Sequence, residues 1–273
     1  PPPSPRKAPM PIHPSAIIDA AAEIDPSVTI GPHAVIDGPV RIGPHCRIAP
    51  SVVIMGHTTI GAECEIHAHA VIGDTPQDHA YEDGLSYCVI GNGCVLREGV
   101  TVHRGTADGS STVIGDDCLL MTNSHVGHNC QVGDHATLIS GALLGGHVTV
   151  GPRAVISGNA AVHQFVRIGE LAMISGLGKI VKDVPPFFMT DRDGAIVGVN
   201  RIGLLRAGLS SDERREINNA FRLIYRSPGG REAMIQRLDE SLTTEAGRRL
   251  LAFMTEDSPR GVTRGRNRTM QKT

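Results

Sequence analysis

The chain has 273 residues, enough for one large domain or two modest ones, and its 26 basic and 28 acidic residues leave a net charge of −2. That balance gives no reason to expect nucleic acid or a charged membrane surface as a partner, and no apolar run approaches the ~18 residues of a transmembrane segment. Apolar residues make up 40% of the chain but aromatics only 3%, with no Trp, so any large core must be aliphatic.

The first residues, 1–11, are Pro-rich and lack the apolar stretch of a signal peptide, which reads as a disordered leader and a cytoplasmic protein. From Ile12 an aliphatic residue returns at every sixth position. Ile holds 12, 18, 24, 30, 36, 42, 48, 54, 60, 66 and 72, and the register resumes at Ile90, Leu96 and Val102 and runs from Ile114 to Ile180. Of the 29 such positions only Asp78, Gly84 and Asp108 are not aliphatic. A helix would show a period of 3.6 and an ordinary strand a period of 2. A period of six predicts a parallel β-helix, in which each flat side is a short strand and each corner a tight turn. Three sides give about eighteen residues per coil, with coils stacked at roughly 4.8 Å. Ile and Val suit such strands because their branched side chains favour extended backbone.

Gly follows the aliphatic residue at 31, 43, 61, 73, 91, 115, 133, 145, 151 and 169, where a corner is expected to need permissive dihedrals. The position two before each aliphatic is small and shares its face, as at Ala16, Ala22, Ala34 and Ala70. All six cysteines (46, 64, 88, 94, 118 and 130) fall in this phase, so they read as small core residues rather than disulfide or zinc partners. Two segments break register and predict loops, 74–87 with Gln77, Asp78, His79 and Tyr81, and 104–111, rich in Gly, Ser and Thr.

Asp183-Val184-Pro185-Pro186 stops the coil, setting the β-helix at 12–190 and an α-helical domain at 191–259. There Ser210-Ser211-Asp212-Glu213 is a capping signal, and Ile217, Phe221, Ile224 and Tyr225 follow at helical spacing. Further helices are expected over Glu232 to Leu242 and Thr244 to Met254, before a basic tail, 260–273, expected to be disordered.

Thirteen histidines stand out. His33, His45, His57 and His69 recur every twelve residues and read as polar corner residues. A second group differs. With the loop after Arg104 adding six residues to one coil, His103 and Arg104, His128, His147, and His163 and Gln164 are predicted along one edge of the prism. An imidazole column in a groove suits general-base chemistry at neutral pH, or a metal site.

The sequence resembles the UDP-N-acetylglucosamine acyltransferases that begin lipid A synthesis. The resemblance covers nearly all of 12–262 and rests on Gly56-His57-Thr58, Gln77-Asp78, Arg97-Glu98-Gly99-Val100-Thr101-Val102-His103-Arg104-Gly105-Thr106, Asn123-Ser124-His125-Val126-Gly127-His128, Ala161-Val162-His163-Gln164-Phe165, Asp183-Val184-Pro185-Pro186 and Leu223-Ile224-Tyr225-Arg226-Ser227. It implies a mainly β, left-handed parallel β-helix followed by α-helices, and a homotrimer with active sites between subunits. It also implies transfer of a 3-hydroxyacyl chain from acyl carrier protein to the 3-hydroxyl of the UDP-sugar, with no metal or organic cofactor. By match, His128 is the general base and the Gly146 backbone N–H stabilises the oxyanion. His125, His147, His163, Gln164, Asp78 and its neighbour Gln77 contact substrates, as do Asn200 and Arg206 at the nucleotide, and Met173 and Gly176 limit acyl length.

The chain departs from the family pattern at Ala80, where a Lys is usual, at Asn129, where an Asp stands beside the base, and at Ile202 and Ala207, where polar nucleotide contacts are usual. Transfer to a 3-amino UDP-sugar is therefore an alternative. Two further readings are a zinc carbonic anhydrase on the same repeat, and a non-catalytic trimeric nucleotide-sugar binder.

Overall fold

The computed structural model describes residues 12–266; the predicted leader at 1–11 and the last seven residues of the basic tail lie outside the described residues. The repeat winds into three parallel sheets of nine, eight and ten strands. The first runs from Ile17–Ile18 to Lys179–Ile180 and the second from Glu23–Ile24 to Arg167–Ile168. The third runs from Thr29–Ile30 through Met173–Ile174 and closes with Phe188–Thr190 and Ile196–Val199. Each strand pairs with the one a coil later, so the sixth-position residues stack like on like: Ile36 on Ile54, Ile54 on Ile72, Val126 on Leu144, Leu144 on Val162. From Ile30 to Ile180 these residues are at most 3% exposed and fill the prism. Burying each contributes about 1.5–3 kcal/mol.

All six cysteines are buried and unpaired, as their phase predicts. The thiols of Cys46, Cys64, Cys94, Cys118 and Cys130 point at carbonyls of Gly61, Gly91, Gly115, Gly133 and Gly145 on the neighbouring coil.

The glycines that follow the aliphatic residues are there for a different reason from the one their position suggests. The left-handed backbone lies two residues further on, at His33, His45, Glu63, His69, Asp117, Asn123, Asn129, His135 and His147, among others. Asn, Asp and His are the non-Gly residues that tolerate that region best. This accounts for His33, His45 and His69 at the corners, whereas His57 begins a strand and packs its ring against Tyr87. The preceding glycines are needed because the next coil's backbone passes so close. An added Cβ would come within 2.4 Å of Glu170 N at Gly151, 2.3 Å of Pro186 N at Gly169 and 2.8 Å of Pro152 N at Gly133. Of this set Gly73 alone has positive φ.

At the C-terminal end of the prism, Phe187 and Phe188 are fully buried, and Phe188 meets Phe221 and Tyr225 edge-on at 5.7 Å. This aromatic plug closes the core. Four helices follow, α1 (Arg201–Arg206), α2 (Ser211–Arg226), α3 (Arg231–Ser241) and α4 (Glu245–Thr255). The Ser210–Glu213 capping box forms as its sequence predicts.

Two features differ from expectation. The segment after 190 begins not as helix but as the return arm of an antiparallel hairpin, Ile196–Val199, because the apolar Ile196 and Val199 find the open sheet edge before any helix can start. The described part of the basic tail, 260–266, returns to the prism: Val262 pairs with Asp183 and Gly265 with Ile196. Asp183 is fully buried and accepts hydrogen bonds from the backbone N–H and Nε of Arg167 at 2.9 and 2.8 Å. The tail covers this otherwise bare backbone.

Gly151→Ala should destabilise the protein by ~1–3 kcal/mol through collision with Glu170, whereas Gly198→Ala, with nothing within 4 Å of its Cβ, should stay within ~0.5 kcal/mol; denaturant unfolding of the two variants checks this.

Candidate active site

Strand register carries the site. In the first sheet Thr101 pairs with His125, His125 with Leu143, Leu143 with Ala161 and Ala161 with Lys179. The corner residues that follow therefore stack in three adjacent columns along one edge: His103 with Gly127, Gly145 and His163; Arg104 with His128, Gly146 and Gln164; and Asn129 with His147 and Phe165. The predicted histidines lie along one edge, but not as one column of rings. His103 meets His125 edge-on at 5.3 Å, His128 meets His147 at 5.2 Å, and Phe165 stacks on His147 at 4.7 Å.

His128 is only 9% exposed, and its tautomer can be read from its partners. The Thr106 backbone N–H donates to Asn129 Oδ1 at 3.0 Å, which fixes the orientation of that amide. His128 Nδ1 lies 2.9 Å from the same oxygen and 2.6 Å from Thr106 Oγ1. An amide oxygen only accepts, so Nδ1 carries the hydrogen and Nε2 keeps its lone pair. Nε2 faces the backbone of Gly146, where an added Cβ would sit 2.4 Å from it; only Gly leaves room for the ring. Among the described residues the Gly146 N–H has no hydrogen-bond acceptor.

Both register breaks converge on this ring. The second loop supplies Thr106. The first supplies Asp78, whose Oδ1 accepts from the Ala80 N–H at 3.0 Å while Oδ2 lies 3.5 Å from His128 Nε2. The loops also hold each other, through Leu85 N–H to Asp108 Oδ1 at 2.9 Å and Gly109 N–H to Leu85 O at 2.7 Å. Arg104 fastens the first loop to the prism, donating to Gly73 O at 3.0 Å and Tyr81 Oη at 2.7 Å, and buried His103 donates from Nδ1 to the Thr75 carbonyl.

Burial, with the neighbouring His103 and His128, lowers the pKa of His125 to about 4, and its Nδ1 lies 2.7 Å from Thr101 Oγ1. His147 is shifted down too, by burial and by His128. Both are neutral at physiological pH, so His128 stands among uncharged rings. Among the described residues no three His, Cys, Asp or Glu side chains converge as a metal-binding group.

Known proteins resemble the chain over most of its length. A model described as UDP-N-acetylglucosamine O-acyltransferase, domain 2, matches residues 183–263, a bacterial transferase hexapeptide model matches 111–146, and a GMPPB C-terminal domain model matches 7–107. The acyl-[acyl-carrier-protein]–UDP-N-acetylglucosamine O-acyltransferase of Anaeromyxobacter sp. (strain K) is 39% identical over 257 residues, 93% of this chain and 100% of that one. The Aquifex aeolicus enzyme of the same name is 52% identical over 195 residues, 70% and 74% of the two chains. The solved UDP-N-acetylglucosamine acyltransferase of Francisella novicida superimposes with a TM-score of 0.91 at 32% identity, covering 94% and 95% of the chains. That of Moraxella catarrhalis gives 0.89 at 36%, covering 93% and 100%. The chain belongs to the UDP-N-acetylglucosamine O-acyltransferase family. Its fold is the left-handed parallel β-helix with C-terminal helices that the resemblance implied.

The other residues matched to this acyltransferase family lie apart from His128. Gln77 is exposed on the first loop, next to Asp78. Asn200 is buried and caps α1, its Oδ1 accepting from Gly203 N–H at 2.9 Å and its Nδ2 donating to Leu171 O at 2.8 Å. Arg206 is exposed in the last turn of α1. Met173 lies on the third sheet, and Gly176 at the corner between the third and first sheets. His128 occupies the corner between the first and second, so the first sheet separates the two positions.

Sequence reasoning missed Thr106 as a partner of His128. The one signal was that Thr106 sits in a register break whose offset places it beside the next coil's histidine. It also missed Phe165 as the platform for His147, and Arg260, which reaches His163 from the tail.

His125 binds fewer protons folded than unfolded between its ordinary pKa of 6.5 and about 4, so stability should fall as pH drops through that window. Replacing His125→Gln should flatten this fall; unfolding midpoints measured across pH 4–7 are the check.

Proposed function

We propose that this protein transfers a 3-hydroxyacyl chain from acyl carrier protein to the 3-position of UDP-N-acetylglucosamine, the first step of lipid A biosynthesis, with His128 as general base. The observation that carries the reading is the setting of His128: Nδ1 is tied to a fixed amide oxygen, which leaves Nε2, facing Gly146 and Asp78, as the basic nitrogen of the neutral ring.

A sugar hydroxyl attacks a thioester efficiently only if its proton leaves during attack. Nε2 takes that proton as the hydroxyl oxygen bonds to the thioester carbon. The carbonyl oxygen gains the negative charge, and the Gly146 N–H, which has no acceptor among the described residues, is assigned to stabilise it. The resulting imidazolium lies 3.5 Å from the Asp78 carboxylate, which stabilises it until collapse. The C–S bond then breaks, the ester carbonyl reforms, and the imidazolium returns its proton to the departing thiolate. Balance needs no further reactant, and no organic cofactor or metal enters this scheme.

His125, His147, His163 and Gln164 lie along the same edge, and together with Gln77 on the first loop they are assigned to substrate contact. Asn200 acts here through its cap of α1, which sets where Arg206 emerges, and Arg206 supplies a planar donor fork for phosphate. Assembly as a homotrimer is supported by two features. The outward face of the first sheet carries exposed Ile17 (67%) and Leu143 (46%). Met173 and Gly176, assigned to acyl length, lie across that sheet from His128, so an acyl groove running between subunits would join them. Among the described residues no helix is long and apolar enough to cross a membrane; a cytoplasmic location accords with a carrier-protein donor.

A second reading has a specific observation behind it. Asn129 offers His128 a neutral amide where an Asp is usual, so the imidazolium gains less support from that side. An amine acceptor needs less base assistance, which makes a 3-amino UDP-sugar, and an amide product, the competing acceptor. Mass spectrometry of products from both acceptors, offered with a series of acyl carrier protein thioesters, separates the two.

In that assay His128→Ala should lower turnover by ~10²–10⁴-fold with folding intact. An unchanged rate would remove the base assignment, whereas no transfer by the unmodified protein would favour a non-catalytic nucleotide-sugar binder. Gly176→Met should shift preference to shorter donors: a Cβ there meets only Gly158 O, at 3.6 Å, so the new side chain can be accommodated. An unmoved chain-length preference would refute its role.

A further inference from the structure

The tail that composition marks as a solvated end instead returns to the prism. Asp183 N–H donates to Gly261 O at 2.9 Å, Val262 pairs with Asp183, and the Arg260 N–H is held by Ser258 Oγ at 3.1 Å. This carries the half-buried Arg260 side chain onto the catalytic edge, two coils beyond His128. Its Nη2 lies 2.7 Å from His163 Nδ1, and its Nε donates to Gln164 O at 2.8 Å.

We propose that Arg260 is a positioning residue that holds His163 as the Nε2–H tautomer, so that His163 offers a hydrogen-bond donor to a substrate oxygen. The inference rests on the reading of this edge as the substrate groove. A guanidinium only donates, so the nitrogen facing it must accept and carry no hydrogen. The single proton of a neutral imidazole is then on Nε2, across the ring from Arg260. His163 Nδ1 also lies 3.3 Å from Gln164 O, a contact that would call for the opposite tautomer. The Arg260 contacts prevail because they are shorter and because the guanidinium already satisfies that carbonyl. Without Arg260 the balance reverses: Gln164 O is left without its donor, and Nδ1–H is the group able to replace it. His163 would then turn a lone pair toward substrate where it had offered a proton.

The substrate group recognised is an acceptor oxygen without a proton, either an amide carbonyl on the carrier's pantetheine arm or a phosphate of the sugar nucleotide. Steady-state kinetics with each substrate varied distinguish them. Arg260→Gln should raise KM about tenfold for the substrate that His163 contacts and leave the other KM and kcat within about twofold, the scale of one lost hydrogen bond. In a His163→Gln background the same change should add nothing, because the Gln side chain has its own amide donor. Effects that multiply would mean that Arg260 acts elsewhere, and would overturn the proposal.

The tautomer itself is read without substrate, by nitrogen NMR of the full-length protein with labelled histidine, assigned through His163→Gln. His163 should show Nε2–H in the native protein and shift toward Nδ1–H in Arg260→Gln. An unchanged tautomer overturns the proposal whatever the kinetics show. A shifted tautomer with neither KM altered overturns the donor role of His163 alone. Loss of the acyltransferase reading would show separately, as no turnover in the unmodified protein.

Discussion

Coil must lie on coil at the separation of hydrogen-bonded strands, and the rest of the molecule follows from that contact. It fixes a narrow prism whose interior admits two inward side chains per face, one branched and one small. It also brings corner backbones so near one another that the residue after each aliphatic is often denied a Cβ, as at Gly133, Gly151 and Gly169. Because the stacking is so regular, residues one coil apart in sequence become neighbours in space, and a site can be assembled from three consecutive coils without any long-range crossover.

A strictly periodic scaffold offers its outer surface as rows of equivalent positions, which is a poor way to make one residue chemically distinct. Distinction comes from the two places where the period fails. The first break carries Asp78 and the second Thr106, and both lean onto a single imidazole. The stability of the scaffold and the chemistry of the site are thus separable in sequence: the aliphatic register sustains one, the interruptions the other. His103 and Arg104, at the end of a regular strand, join the two by fastening the first interruption to the prism.

The fold was legible because period six leaves no other regular structure to satisfy it, and the histidine edge was legible because coil length converts sequence offset directly into height. Three things were not legible. The corner phase was misassigned because Gly serves equally for open dihedrals and for close approach, and composition does not separate these; the left-handed residue lies at His135 and His147, not at Gly133 and Gly145. The tail was read as solvated because seven of its fourteen residues are Gly, Arg or Lys, yet pairing with Asp183 depends on an open sheet end that a local reading does not contain. The tautomer of His128 required the Thr106 N–H, a backbone group whose direction no sequence states. Asn200 shows the opposite case, a residue matched to substrate contact whose amide is largely engaged within the protein.

The buried cysteines carry a practical consequence. Cys88 and Cys130 have thiols pushed up to about 12 by burial, and all six lie inside the prism, shielded from solvent reagents while the coils stay stacked. Alkylation therefore measures how often the stack opens. Since the six are spread from Cys46 to Cys130, peptide-resolved labelling would tell whether the prism unzips from one end or comes apart as a unit, a question that a quasi-one-dimensional architecture makes worth asking.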